Sequence, residues 1–168
     1  RVWRDNRADL EEHANQLLPY VGRQASALPG GRPEGNAIED ASRKLLAAHD
    51  NEWGGFGSAP KFPHSMSIDI LLRQLQKTND PEILQTVTTS LDAMASGGIY
   101  DHLDGGFSRY SVDNYWLVPH FEKMLYDNAL LARVYLHAWQ ITKEQRWRNV
   151  AEETIDYVLR RLIQPGGG

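Results

Sequence analysis

The sequence predicts an all-α protein made of stacked helical hairpins, and three observations lead there. Few stretches alternate with period two, whereas apolar residues recur at helical spacing along most of the 168 residues. A frame of Asp, three residues and Gly-Gly-Phe occurs twice, from Asp50 to Phe56 and from Asp101 to Phe107, 51 positions apart and each time after a predicted helix. A third double glycine, Gly166-Gly167, closes another predicted helix. Repeats of this length point to hairpins that cannot bury their apolar faces alone. Double glycines also end helices by themselves, where left-handed backbone is needed. The Asp and Phe common to both copies favour the repeat.

The elements follow in order. Trp3, Leu10, Ala14, Leu17, Leu18 and Val21 share one face of a first helix over residues 1–21, which is expected to end near Gly22. Residues 22–36, GRQASALPGGRPEGN, read as a flexible connection. A second helix is expected over 37–50. A third follows Pro63, His64 and Ser65, carries Ile68, Leu71, Leu72 and Leu75, and runs to about Lys77. Asn79-Asp80-Pro81 turns the chain, with Asp80 as N-cap and Pro81 at the first helical position. The fourth helix points Leu84, Val87, Leu91 and Met94 inward and ends at Gly97. A fifth is expected to start at Pro119, and from Ala129 to Trp139 it is apolar on most sides, which suits burial on more than one face. The sixth, from Glu144, has a single stripe of Trp147, Val150, Ala151, Thr154, Val158 and Leu162.

Composition narrows the function. A hydrophobic fraction of 41% supports one globular domain with a core. The net charge of -4 leaves no broad basic surface for nucleic acid or anionic membranes, so a small polar or neutral ligand fits better. No apolar run is long enough to cross a bilayer and no charged-then-apolar leader is visible, so a cytoplasmic location is the expectation. Cysteine is absent, which excludes disulfides, thiol redox chemistry and thiolate metal sites within the chain. No GxxxxGK[ST] phosphate loop and no HExxH pair occurs. His120-Phe121-Glu122 has the His-x-Glu spacing of zinc deaminases but lacks their paired cysteines. The spacing of His102, His120 and Asp127 is irregular, and neither a metal nor another cofactor is expected.

Chemistry concentrates in residues 97–131, where Asp101, His102, Arg109, His120, Glu122, Lys123 and Asp127 stand among Tyr100, Phe107, Tyr110, Tyr115 and Trp116. Aromatic walls with a few orienting polar groups are what a binding pocket uses. On a helix from Pro119, at about 100° per residue, His120, Lys123 and Asp127 share one side. His120 suits proton exchange near neutral pH. Asp127 either orients Lys123 or acts as a carboxylate in its own right, and the Lys123–Asp127 pair reads equally as a helix ion pair. Glu122 points elsewhere, toward Arg133 or the preceding loop. Asp101 and Asp113 read either as an acid and base pair or as caps of turn amides. Arg109 either clamps a ligand or bridges loops. Lys61, between Pro60 and Pro63, is held by fixed backbone angles, in a pocket or at a rigid surface corner, while His64 reads as part of a helix start.

GGFGSAPKFP at 54–63 and GGIYDHLDGGFSRYSVDNYWLVPHFEKMLYDNALL at 97–131 resemble the signature segments of the YyaL and spermatogenesis-associated thioredoxin-domain family, over about residues 37–163. The resemblance implies a full-length protein with an N-terminal thioredoxin-like domain followed by an (α/α)6 toroid of the six-hairpin glycosidase type. This chain would be the first part of that ring, about six helices entered through residues 1–21, without the thioredoxin-like domain and the later hairpins. Asp104 stands where the family pattern has glycine, which either alters the loop or adds a carboxylate to the site. By analogy of fold, the toroid hydrolyses or epimerises a sugar by proton transfer. His120, Asp101 and Asp127 are then the catalytic candidates, Tyr110 and Trp116 stack on the ligand, and Arg109, Lys61 and Lys123 hold it. The alternative is a noncatalytic binding or scaffold domain serving the thioredoxin-like module. A partial ring also leaves apolar hairpin surface open to self-association.

Overall fold

The computed structural model describes residues 2–25, 35–164 and 166. The chain comprises two compact units, Arg1–Glu34 and Gly35–Gly168. In the first, α1 (Val2–Asp5) precedes α2 (Arg7–Ala25). The helix continues through Gly22 because a glycine in a helix costs only about 1 kcal/mol against alanine and does not by itself stop one. Its predicted inner face is largely exposed, with Leu17, Leu18 and Val21 at 60%, 61% and 60%. Most of the predicted connection at 22–36 lies outside the described residues.

The second unit contains α3 (Ala37–Ala47), α4 (Ser65–Thr78), α5 (Pro81–Ser96), α6 (Leu125–Thr142) and α7 (Gln145–Arg161). They form two layers. α4 and α6 pack side by side, while α3, α5 and α7 lie behind them. Ile68, Leu71, Leu72 and Leu75, the apolar stripe of α4, are all at or below 4% exposure. Asp80 caps α5 by accepting from the Glu82 amide at 2.9 Å, with Pro81 in the first turn. On α5, Val87, Leu91 and Met94 are buried as expected, but Ile83 replaces Leu84, which is 38% exposed. The layers are joined by polar contacts as well: Tyr135 on α6 donates to the Leu91 carbonyl at 2.7 Å, and Trp147 on α7 donates to Asp92 at 3.0 Å.

The predicted helix start at Pro119 is corrected to Leu125. Residues 109–122 instead pair with themselves: Arg109 N–H donates to the Glu122 carbonyl (2.8 Å), His120 N–H to Tyr110 (2.9 Å) and Val112 N–H to Val118 (2.8 Å). A backbone amide engaged across a ribbon is not available for an i−4 bond. Lys61 and Ser111 exchange two further backbone bonds, at 2.8 and 2.9 Å, so the first loop becomes a third edge of the same ribbon. The structure therefore places the polar residues of 108–124 on an irregular ribbon ahead of α6.

The two Asp-x3-Gly-Gly-Phe loops are structural duplicates. In each, the Asp N–H donates to the second glycine carbonyl and the first glycine N–H donates back to the Asp carbonyl, at 2.9 and 2.8 Å in one copy and 2.9 and 2.9 Å in the other. Asp50 also caps the amides of Glu52 and Trp53, both at 3.0 Å, and Asp101 caps those of Leu103 (3.0 Å) and Asp104 (3.1 Å). Each carboxylate then receives a lysine from later in the chain, Lys61 on Asp50 and Lys123 on Asp101. Gly54 and Gly105 have φ of +70° and +78°, and a Cβ on them would come within 2.8 Å of the Thr89 carbonyl and 2.6 Å of the Glu153 carbonyl. Each loop thus lies directly on the backbone of the next helix but one, α5 for the first and α7 for the second.

Burial decides how strongly each pair holds. The Lys61 side chain is fully buried and that of Asp50 is 15% exposed, whereas Lys123 and Asp101 are at 15% and 35%. Removing one partner of a buried pair strands the other charge and costs about 3–5 kcal/mol. Lys61→Met should therefore lower unfolding free energy by about that amount in denaturant titration, and Lys123→Met by less. The lysine hydrogen bond holds the Asp101 pKa at about 2, below its ordinary 3.8. A depressed carboxylate contributes stability above its ordinary pKa and loses it as pH falls through the folded value. Unfolding measured from pH 5 down to 2 should steepen in the wild type below about pH 4 and flatten in Lys123→Met.

Candidate functional site

Eight residues were candidates from the sequence, and the structure separates them into two groups. Lys61 is 0% exposed, bound to Asp50 and to the Asn114 carbonyl at 3.1 Å, with its ammonium 5.3 Å from the Trp116 ring centre. Trp116 is 1% exposed, and its indole N–H donates to the Trp53 carbonyl at 3.0 Å. Both are enclosed, and both polar groups find partners inside, as a desolvated ammonium or indole must. Asp101 is occupied by turn amides and Lys123, and Lys123 by Asp101, the Gly105 carbonyl (2.9 Å) and the Tyr157 ring (4.1 Å). These four hold the loops together, and the anticipated Lys123–Asp127 partnership is replaced by Lys123–Asp101. Asp113 likewise caps its turn, accepting from the Tyr115, Leu117 and Val118 amides.

The other four, Arg109, Tyr110, His120 and Asp127, lie on the ribbon and the first turn of α6. The His120 ring stacks on Tyr110, centroids 4.6 Å apart at 18°, and Tyr110 packs on Phe62 at 4.8 Å. Arg109 meets Glu122 at 3.3 Å, and His120 is 4.0 Å from the same carboxylate. Glu122 thus takes its partner from the preceding loop rather than from Arg133. His120 reaches its place through ribbon pairing, not through a helix face.

Asp127 occupies the third position of α6 and lines a cleft of about 330 Å³ with Phe62, His64, Met66, Tyr126 and Leu130. Burial raises its pKa above the ordinary carboxylate value, against the opposing charge of Arg109. Its Oδ2 is buried without a hydrogen-bond partner among the described residues, and so is Nε of Arg109. Tyr126 stands against both groups, its side-chain hydrogen bond lowering the Asp127 pKa against the effect of burial and raising that of Arg109. His64, read from sequence as a helix start, does precede α4, at φ +47° and without a capping bond, and it also faces this cleft. Its ring meets Phe56 edge-on at 6.1 Å, and burial there lowers its pKa while part of the residue stays open to solvent. Only the distance between 64 and 127 along the chain hid this pairing.

The remaining polar residues do not add to the cleft. His102 contacts the Gly97 carbonyl at 3.0 Å. Asp104 turns toward α7, bound by Arg160 at 2.6 Å and Arg161 at 2.9 Å, and so ties its loop to that helix. Among the described residues no group of three or more His, Asp or Glu is arranged to hold a metal. None of their helices is long and apolar enough to cross a membrane.

The same layered arrangement occurs in solved structures. A cellobiose 2-epimerase from Spirochaeta thermophila superposes with a TM-score of 0.67 at 18% identity, over 81% of this chain and 40% of that one. A sugar epimerase from a ruminal bacterium gives 0.66 at 14%, over 77% and 38%. The Lin0763 protein of Listeria innocua gives 0.64 at 18%, over 96% and 55%. At such identities the likeness is one of fold, and it defines the class: helical hairpins of an (α/α)6 toroid. No family model matches the sequence. Spermatogenesis-associated protein 20 is 35% identical in Rattus norvegicus and 34% in Homo sapiens, in each case over 99% of this chain. An uncharacterised protein of Caenorhabditis elegans is 31% identical over 98%. The chain belongs to the family of spermatogenesis-associated protein 20, and it spans 22% of the length of the rat and human members.

The raised pKa of Asp127 fixes a sign. A carboxyl whose folded pKa is raised favours the native state when protonated and opposes it as pH rises through that value. Asp127→Asn should therefore raise the melting temperature at pH 7, by an amount that shrinks as pH falls toward 4, measured by thermal unfolding. A carboxylate retained for stability would give the opposite sign.

Proposed function

We propose that this chain forms part of the ligand-binding wall of a sugar-binding toroid and that Asp127 exchanges a proton with the bound sugar. The observation that carries this reading is the pair of orphaned polar atoms on Arg109 and Asp127. A sugar hydroxyl donates and accepts at once, so it satisfies a carboxylate oxygen and a guanidinium N–H together. The Phe62, Tyr110 and His120 rings beside them offer the flat apolar surface that the C–H face of a pyranose covers. A carboxyl with a raised pKa is suited to general acid and base work, and His64, which lines the same cleft, supplies a second group able to exchange a proton. Hydrolysis and epimerisation both need such proton transfer, and the fold likeness to sugar epimerases supports the class of ligand.

Turnover of a panel of neutral and acidic sugars by the complete protein tests this. Asp127→Asn should reduce kcat by roughly 10²–10⁴, and Arg109→Gln should raise KM with a smaller effect on kcat. Unchanged kinetics in both variants would remove the site.

A second reading has its own observation. Asp101 is consumed by loop structure, which thins the catalytic candidates and favours a noncatalytic binding or scaffold domain serving a thioredoxin-like module. Sugar binding without turnover, lost equally in both variants, would decide for it.

A further inference from the structure

A second cluster lies farther along the exposed seam between α4 and α6, outside the cleft of Asp127. Asp69 on α4 is 8% exposed and is approached from both helices. Arg73 Nε donates to Oδ2 at 3.0 Å, His137 Nδ1 is 3.1 Å from Oδ1, and an Arg133 guanidinium nitrogen stands 3.9 Å from Oδ2. Beside them opens a cleft of about 390 Å³, lined by Asp69, Arg73, Gln76, His137 and Gln140.

The charges do not balance. One carboxylate faces two guanidinium groups, and its hydrogen bonds to Arg73 use only Nε. The outer nitrogens of Arg73, and every N–H of Arg133, have no hydrogen-bond partner among the described residues. Arg73 and Arg133 side chains are 62% and 47% exposed, so their unpaired nitrogens are open to solvent, Arg73 at the lining of this cleft and Arg133 beside Asp69. Asp69 anchors the Arg73 and His137 side chains from below without neutralising both cations. A guanidinium presents paired donors in a planar fork that matches a carboxylate or phosphate. The amides of Gln76 and Gln140 add hydrogen-bonding groups for neighbouring hydroxyls. Along α6, His137 is roughly 15 Å from Asp127 at about 1.5 Å per residue.

We propose that the Arg73, Arg133 and His137 cluster over Asp69 binds an oxyanion, carboxylate or phosphate, carried by the polyhydroxylated ligand. The sugar part rests on the reading of the Asp127 cleft, and the anion part does not. Titration calorimetry on the full chain, with D-glucose, D-glucuronate, D-glucose 6-phosphate and inorganic phosphate, tests both. Arg133→Gln is the cleaner variant, since its single contact is a long one at a partly exposed site and its loss disturbs the fold little. One or both acidic sugars should bind at least about tenfold tighter than glucose, a preference that Arg133→Gln reduces and Arg73→Gln/Arg133→Gln abolishes. Glucuronate against glucose 6-phosphate distinguishes a carboxylate from a phosphate ligand. Equal binding of glucose and both acidic sugars, or a preference that survives the double variant, overturns the anion site. Phosphate binding lost in the double variant, with no sugar bound at all, supports the anion site and overturns the sugar reading. Absence of any binding overturns both.

Discussion

A lysine ammonium placed against a turn-capping aspartate, under a double glycine, organises everything near it. The carboxylate already orders two turn amides, so the lysine fixes a preassembled turn instead of a free side chain. Lys61 thereby brings the first loop into the ribbon, since its own backbone pairs with Ser111 while its side chain reaches Asp50. Lys123 ties the second loop to the segment just before α6 through its side chain alone. The two charges are desolvated to different degrees, and the more buried pair is the one linking three segments of chain.

This arrangement also explains why the polar residues divide as they do. One side of the ribbon looks inward, where Lys61 and Trp116 are enclosed and fully satisfied. Arg109 and Tyr110 are half-buried and His120 is exposed, with Tyr110 packed on Phe62, which lines the cleft of Asp127. A site that must hold a carboxyl at a raised pKa needs neighbours that do not move, and the inner side supplies that rigidity.

Helical periodicity made the layers readable: Ile68, Leu71, Leu72 and Leu75 could be assigned to a core from spacing alone. The Asp-x3-Gly-Gly-Phe frame was equally plain. Its lysines were not, because Lys61 follows its aspartate by 11 positions and Lys123 by 22, so the repeat carries no common register at that point. Pro119 looked like a helix start because proline suits a first turn, and the competing claim of Tyr110 on the His120 amide is a contact between segments that no local pattern records. Asp127 and Arg109 were visible as polar residues in an aromatic stretch. His64 beside Asp127, and His137 on Asp69 from 68 positions away, come together only when α4 and α6 are laid side by side.

The close approach of Gly54 to the Thr89 carbonyl and of Gly105 to the Glu153 carbonyl has an evolutionary reading. A hairpin in this array does not end where its loop ends, because each loop is moulded to a helix that belongs to the hairpin after it. The unit that can be duplicated, exchanged or deleted without leaving a glycine turn unsupported is therefore a hairpin together with the outer helix that follows. Adjacent units overlap by that helix, like tiles rather than bricks.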